Sequence, residues 1–244
     1  DFSQIELDVP QLRGNSQFAL FLAEKRPFFF ESSDLLRSPT DAIYSRSLTE
    51  LRWGTRATWR GSQVATTAFA IDDRGGGLTL LPGPYATGIA LQPASRALVM
   101  RPVADVGTAQ IGAIAVARPY AAGRGDNHVV GPDLDWAIDG AWRARAQWLS
   151  SLTTALPDAA GTLSSGPTRR GDRLYATATR QTDNTKFDVT VDDIDAGFRH
   201  DSGFVNQSGI RLVDLHQGFG WRRVGPLNEL WLNLNAGRTD AREN

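Results

Sequence analysis

The densest cluster of groups that could do chemistry is the acidic run Asp192, Asp193 and Asp195, with Asp188 just upstream. Hard cations and oxocarbenium-like transition states both want clustered carboxylates, so the chemistry on offer is a calcium site or a glycosidase pair. No calcium-loop spacing matches and no acid/base partner is identifiable. The simpler reading places Asp188 and Asp192 on a polar strand face beside arginine, with Asp193 and Asp195 at a turn. Asp133 and Asp135 stand two apart and share a face. They could hold a metal, but Arg143, Arg145 and Gln147 fall on the adjoining strand, which favours a cross-strand ladder of about 0.2–1 kcal/mol per pair. His128, His200 and His216 are scattered, there is no HExxH or GxSxG, and the chain has no cysteine. Gly75-Gly76-Gly77 lacks the GK[ST] of a phosphate cradle and reads as a turn. No metal, no cofactor and no enzyme activity is assigned.

The elements that carry these residues alternate with a period of two. Leu51, Trp53, Thr55, Ala57 and Trp59 share one face, while Arg52, Gly54, Arg56, Thr58 and Arg60 share the other. Phe187, Val189 and Val191 alternate with Lys186, Asp188, Thr190 and Asp192, and Leu230, Leu232, Leu234 and Ala236 with Glu229, Trp231, Asn233 and Asn235. A helix would repeat at three and four residues, so these are strands. Over 128–152 a hairpin is expected. A two-residue loop would pair Trp136 with Arg143 and join unlike faces. A three-residue loop, Asp139-Gly140-Ala141, pairs Asp135 with Arg145 and Ile138 with Trp142, with Gly140 taking the left-handed position. Further strands are expected near 63–72, 77–82, 95–102, 107–118, 172–181, 193–201 and 209–223, with loops at 83–94, 119–127 and 154–171. Short turns alternating with long loops is the layout of an antiparallel up-and-down sheet.

Which solvent each face meets decides the class. The 244 residues are 41% hydrophobic and 22% charged, with 26 basic against 27 acidic side chains, which argues against disorder and against an electrostatic nucleic-acid binder. The longest apolar run, Ile111 to Ala117, is far short of the roughly 18 residues of a membrane helix. Several strands, however, reach the 9–11 residues, roughly, of a tilted membrane strand. Their apolar faces are small residues punctuated by tryptophan near the strand ends, and the opposite faces carry Arg and Asp. The expected fold is therefore all-β: part of an antiparallel up-and-down transmembrane β-barrel, residues 46–244, continuing beyond this sequence. Arg52, Arg56, Asp133, Asp135, Arg143, Arg145, Asp188 and Asp192 would line its watery lumen, and the lipid bilayer of the bacterial outer membrane would be its partner. The alternative is a soluble all-β carbohydrate-binding module or glycoside-active domain that uses tryptophan faces and the Asp cluster.

Residues 1–45 read differently. Asn15 to Glu24 is expected as a short helix that Pro27 ends. Phe28, Phe29 and Phe30 follow as an aromatic knot beside Lys25, Arg26 and Glu31, which suits either an anchor or a plug-like element seated on the barrel.

Four stretches carry a family likeness: Asp1-Phe2-Ser3-Gln4, the run FALFLAEKRPFFFESSDLL from Phe18 to Leu36, Tyr44-Ser45-Arg46, and GFRHDSGFVNQSGIR from Gly197 to Arg211. They resemble an uncharacterised bacterial family in which an outer-membrane-type β-barrel domain follows a domain like family-nine carbohydrate-binding modules. The most specific match is Glu24, Lys25, Arg26, Pro27, Phe28 and Phe29; Phe30 stands where leucine is usual and Ser33 where glycine is. The resemblance implies the first part of the barrel domain, without the sugar-binding companion. The family brings no established reaction, and the resemblance assigns no sugar recognition to these residues. The expected function is non-enzymatic, binding or passing a polar solute, with a glycan suggested by the usual companion domain.

Overall fold

The computed structural model describes residues 18, 21, 26–30, 33–40 and 42–242. The expected helix over Asn15–Glu24, and with it Glu24 and Lys25, lies outside them apart from Phe18 and Phe21. Two single-turn helices open the described chain, α1 (Pro27–Phe30) and α2 (Ser33–Leu36). Whether Pro27 ends the helix expected over Asn15–Glu24 lies outside the described residues; Pro27 itself begins α1, where the first helical position needs no N–H donor and a fixed φ suits the turn.

Twelve strands follow: β1 (Leu51–Arg60), β2 (Val64–Asp73), β3 (Leu78–Pro82), β4 (Thr87–Leu91), β5 (Ser95–Val106), β6 (Ala109–Pro119), β7 (Asp126–Ala137), β8 (Trp142–Pro157), β9 (Leu163–Gln181), β10 (Thr185–Ile194), β11 (Ile210–Val224) and β12 (Leu227–Ala241). Ten of them form one antiparallel sheet in the order β1-β2-β5-β6-β7-β8-β9-β10-β11-β12, and β3 with β4 forms a separate hairpin. The fold is all-β. Among the described residues the large sheet is open, with β1 paired only to β2 and β12 only to β11.

Alternation and turn chemistry place the elements as expected over most of the sheet. Asp135 lies opposite Arg145 in the β7–β8 hairpin, as the three-residue loop requires. Gly140, however, is not left-handed. Asp139 shapes the turn instead, its carboxylate accepting from the Ala141 and Trp142 amides at 2.7 and 2.8 Å, which also holds that carboxyl below the usual range.

Three stretches differ from expectation. Residues 154–171 are not a loop, because β8 and β9 run on to Pro157 and from Leu163 as 16- and 19-residue strands. Residues 83–94 contain β4, which pairs with β3. Residues 193–201 are not a strand: β10 stops at Ile194, and residues 195–209 turn inward over the sheet.

The two ends of the sheet are unlike. One end carries the short connections 61–63, 107–108, 138–141, 182–184 and 225–226; the other carries 74–94, 120–125, 158–162 and 195–209. The core lies on one face only, where Phe69, Ile71, Val99, Ile114, Val116, Val129 and Leu149 meet Phe29, Ala42 and Leu48 from the N-terminal segment and Phe198 and Val205 from the 195–209 segment. This face is called inner below, and its opposite outer.

Candidate functional site

The outer face is apolar across all ten strands. Two rows of register neighbours cross it: Thr55, Ala70, Leu98, Ala117 and His128, then Ala57, Ala68, Met100, Ala115 and Val130. Leu174, Val213, Leu215, Leu232 and Leu234 continue the pattern on the later strands. Leu98 and Met100 are each 51% exposed and Leu234 55%, so none of the described residues covers them. Over the small side chains of β1, β2 and β6 the surface sinks into an apolar depression of about 550 Å³. Trp59, Trp136 and Trp221 mark the short-turn end of the band. There too the Trp142 ring meets Phe187, with the Arg180 guanidinium 6.0 Å from its centroid. Charge resumes at the long-loop end, with Asp72, Arg96, Asp193 and Arg211 on the same face. On β5 the band from Leu98 to Val106 spans eight residue steps, or about 26 Å along the strand.

The inner face carries the buried charge beside the apolar core. Arg101 and Arg118 are 1% and 0% exposed. Arg118 sits 3.1 Å from Asp73, itself fully buried, and donates to Ser95 Oγ and to the carbonyls of Ser47 and Asp201. Asp73 also accepts from the Gln92 side chain at 2.7 Å and from the Glu50 and Gly75 amides. Arg199 and Asp201 pair within the 195–209 segment at 2.5 Å. Tyr120 donates its hydroxyl to Asp201 at 2.8 Å, and burial pushes that phenol up. His200 is buried beside them, and burial drives its imidazole down to about 4.

Of the residues singled out from sequence, Asp133 has a different partner from the expected one. It binds Arg101 through both carboxylate oxygens, at 2.5 and 2.7 Å, and Arg101 reaches it across the intervening β6. Gly112 makes this crossing possible, since a Cβ there would stand 2.2 Å from Arg101 Nη1. Gly112→Ala should therefore cost about 1–3 kcal/mol by crowding the pair, read as a lower urea midpoint.

Asp135 pairs with Arg143, its diagonal neighbour, at 2.6 Å, while Arg145 lies directly opposite it in register. Asp192 is held by Arg173 through two bonds of 2.9 and 2.7 Å, and Asp188 accepts from Thr177 and Thr190. Asp193 and Asp195 were expected at a turn. Asp193 instead lies in β10 on the outer face with Arg211 and Arg242, and Asp195 also meets Arg242. Alternation thus splits the acidic run between two faces, and Asp193 and Asp195 are brought together on Arg242. Among the described residues no group of three or more His, Asp or Glu side chains is placed to hold a metal.

Arg56 points inward, donating to Thr67 Oγ1 at 3.0 Å and to the Phe28 carbonyl at 3.3 Å. Arg52 does not join it. A register shift between Leu51 and Trp53 leaves Arg52 unmatched, and its guanidinium meets Asp72 at 3.5 Å on the outer side.

From the family-like run, Arg26 is buried, donates to the Ser45 and Leu48 carbonyls at 2.7 and 2.8 Å, and lies 4.6 Å from the Phe29 ring centroid. Phe29 in turn packs edge-on against Phe28 and Phe69. Pro27 begins α1. The GFRHDSGF run supplies Phe198, Arg199, His200 and Asp201 to the buried network. Arg101, Arg118, Asp73, Tyr120 and Asn127 were not legible as functional residues. The signal they left was an Arg or Asn on the inner-face parity of a strand that otherwise reads as apolar.

No family model, curated protein or solved structure matches the chain. Function has to be argued from the two faces.

Proposed function

We propose that the ten-stranded sheet is wall of a bacterial outer-membrane β-barrel, non-enzymatic, whose inner face binds or passes a polar solute such as a glycan fragment. The observation that carries the reading is an uncovered apolar band running across every strand, opposite a face that buries arginine and aspartate. In water such an area of exposed leucine, methionine and tryptophan is a standing liability. In lipid it is the favourable surface; about 26 Å along β5, tilted by about 35–45°, gives a height of roughly 20 Å, somewhat below the ~25 Å apolar band of such barrels. Short turns at one end and long connections at the other fit the same arrangement, with the short turns towards the periplasm. The family likeness supports it too: the two runs that carry most of it, around Arg26–Phe29 and Gly197–Arg211, supply the segments that fold onto the inner face.

Lipid leaves no partner for an open strand edge, so the sheet must close. Strand directions alternate from β1 to β12, which leaves the two edges antiparallel to one another. They can meet directly, or through any even number of further strands, with every ladder antiparallel.

Expressed behind an export leader, the chain should sediment with outer membranes and migrate differently on gels when unheated. Vesicles containing it should swell in small sugars. Recovery as a detergent-free soluble monomer overturns the reading; saccharide binding by that monomer, abolished by Trp148→Ala, would favour the carbohydrate-binding alternative.

A further inference from the structure

Towards the short-turn end of its last strands the inner face is bare. Lys186 on β10, Arg222 on β11 and Glu229, Asn233 and Asn235 on β12 are all exposed there. Trp231 stands among them. Of the seven tryptophans it alone has inner-face parity, while the other six belong to the outer face. A place in an outer aromatic girdle therefore does not account for it.

The ring is held flat against β11 at two glycines. A Cβ on Gly220 would stand 2.7, 2.8 and 2.9 Å from Cζ2, Cε2 and Cη2 of the indole, and one on Gly218 would stand 3.7 Å from its Cε3. The indole thus rests on main chain, closer than a side chain at Gly220 would allow. Its Nε1–H donates to the Glu229 carboxylate at 2.7 Å, which fixes its rotation. The ring leans over β11 towards β10, away from the free edge of the sheet, so its floor is made by β11 alone.

Aromatic cover of a strand glycine is a structural device in its own right. It uses only one face of the ring. The indole is still part-exposed, and over it lies the exposed Lys186 ammonium, 4.8 Å from the ring centroid. An exposed contact of that kind is weak, and the four-carbon stem lets the ammonium swing aside and donate elsewhere. Asn233 meets His216 through Oδ1 at 3.2 Å, which leaves its NH2 group as a donor. Glu229 keeps a second carboxylate oxygen as an acceptor. A flat plate with donors and acceptors at its edge matches the two sides of a pyranose. The slightly positive axial C–H groups of the sugar meet the negative face of the indole, and its equatorial hydroxyls reach the rim. A purely apolar ligand would leave that rim unpaired.

We infer that Trp231, seated on Gly218 and Gly220, is the platform of a saccharide subsite on the inner face, with Lys186, Glu229 and Asn233 as hydroxyl partners. The inference deepens the barrel reading and rests on it for the lumen through which the sugar arrives.

The full chain, in micelles or in buffer as the fractionation experiment selects, is titrated by calorimetry with maltohexaose, cellohexaose and chitohexaose. At least one of the three should bind with a dissociation constant of about 1 mM, the range open to one stack and a few exposed hydrogen bonds. Trp231→Ala should weaken that binding about tenfold or more. Gly220→Ala should weaken it too while keeping the indole, because the new Cβ lifts the ring. Trp231→Phe keeps an aromatic cover on the glycine and so the wild-type urea midpoint, and its loss of affinity then reads the plate and not the fold. Trp221→Ala, on the outer face of β11, should leave the affinity unchanged. Absence of binding by all three sugars up to about ten times the expected constant overturns the inference. So does a lower urea midpoint in Trp231→Ala and Gly220→Ala with affinity unmoved, the result expected of a glycine cover alone. The two readings fail separately. Binding by a detergent-free monomer, lost in Trp231→Ala, defeats the barrel and keeps the subsite; entry into membranes with affinity unmoved by Trp231→Ala keeps the barrel and defeats the subsite.

Discussion

Leu215→Arg should prevent stable insertion into lipid vesicles, at a cost of about 2–4 kcal/mol, while His216→Arg one residue along should cost little. The two positions are neighbours on β11, a strand paired on both sides, and alternation sends their side chains to opposite faces. Leu215 is 39% exposed in the middle of the apolar band. His216 is half-exposed on the inner face and contacts Asn233 at 3.2 Å. If the outer face met water, arginine in place of a part-exposed leucine would stay within about 0.5 kcal/mol, as surface changes usually do. The contrast between the two variants therefore measures which solvent the outer face meets, independently of any solute. Urea titration of each variant folded into vesicles gives the difference directly. Equal midpoints for the two would remove the membrane reading, whatever the fractionation shows.

The face of most strand side chains was legible from alternation because burial or exposure along a strand switches with every residue. The three-residue loop at 139–141 was legible for a related reason: a two-residue loop would have joined unlike faces. Alternation says nothing about what folds over a face. Arg101 sits on β5 and Asp133 on β7, so their pairing depends on the strand between them and on the missing Cβ of Gly112. That glycine in an otherwise apolar run was the visible trace of it. Asp133 was read instead against its hairpin neighbours, the only partners that a local pattern can propose. Residues 195–201 are expected as strand from their aromatic and polar alternation but begin the segment that folds over the sheet. Its glycines serve close backbone approach at Gly171–Gly197, and Gly203 leaves room for the His200 ring. Arg52 was assigned by parity, and a single register shift at the start of β1 sent it the other way. Even where alternation holds, one extra residue moves a charge from one solvent to the other.

The largest loss of stability is expected from Asp73→Ala, at about 3–5 kcal/mol, a large part of the roughly 5–15 kcal/mol that holds a domain folded. Asp73 is the anion for Arg118, which has no exposed surface, and the same carboxylate collects the Glu50 and Gly75 amides and the Gln92 side chain. Its removal leaves a buried guanidinium with only neutral acceptors, Ser95 Oγ and the Ser47 and Asp201 carbonyls. Arg118→Ala should cost less, because Asp73 keeps its four other donors, the Thr49, Glu50 and Gly75 amides and the Gln92 side chain. The double variant should recover part of the loss relative to the sum of the singles, since neither charge is then left alone. Asp73→Asn separates charge from shape: its amide occupies the same space but places a donor group beside the donors that the carboxylate now accepts. It should approach the alanine variant, with midpoints read in urea on the folded protein. A cost below about 1 kcal/mol for Asp73→Asn, the net worth of one ordinary hydrogen bond, would mean that the inner face is held by its apolar contacts and not by this ion pair.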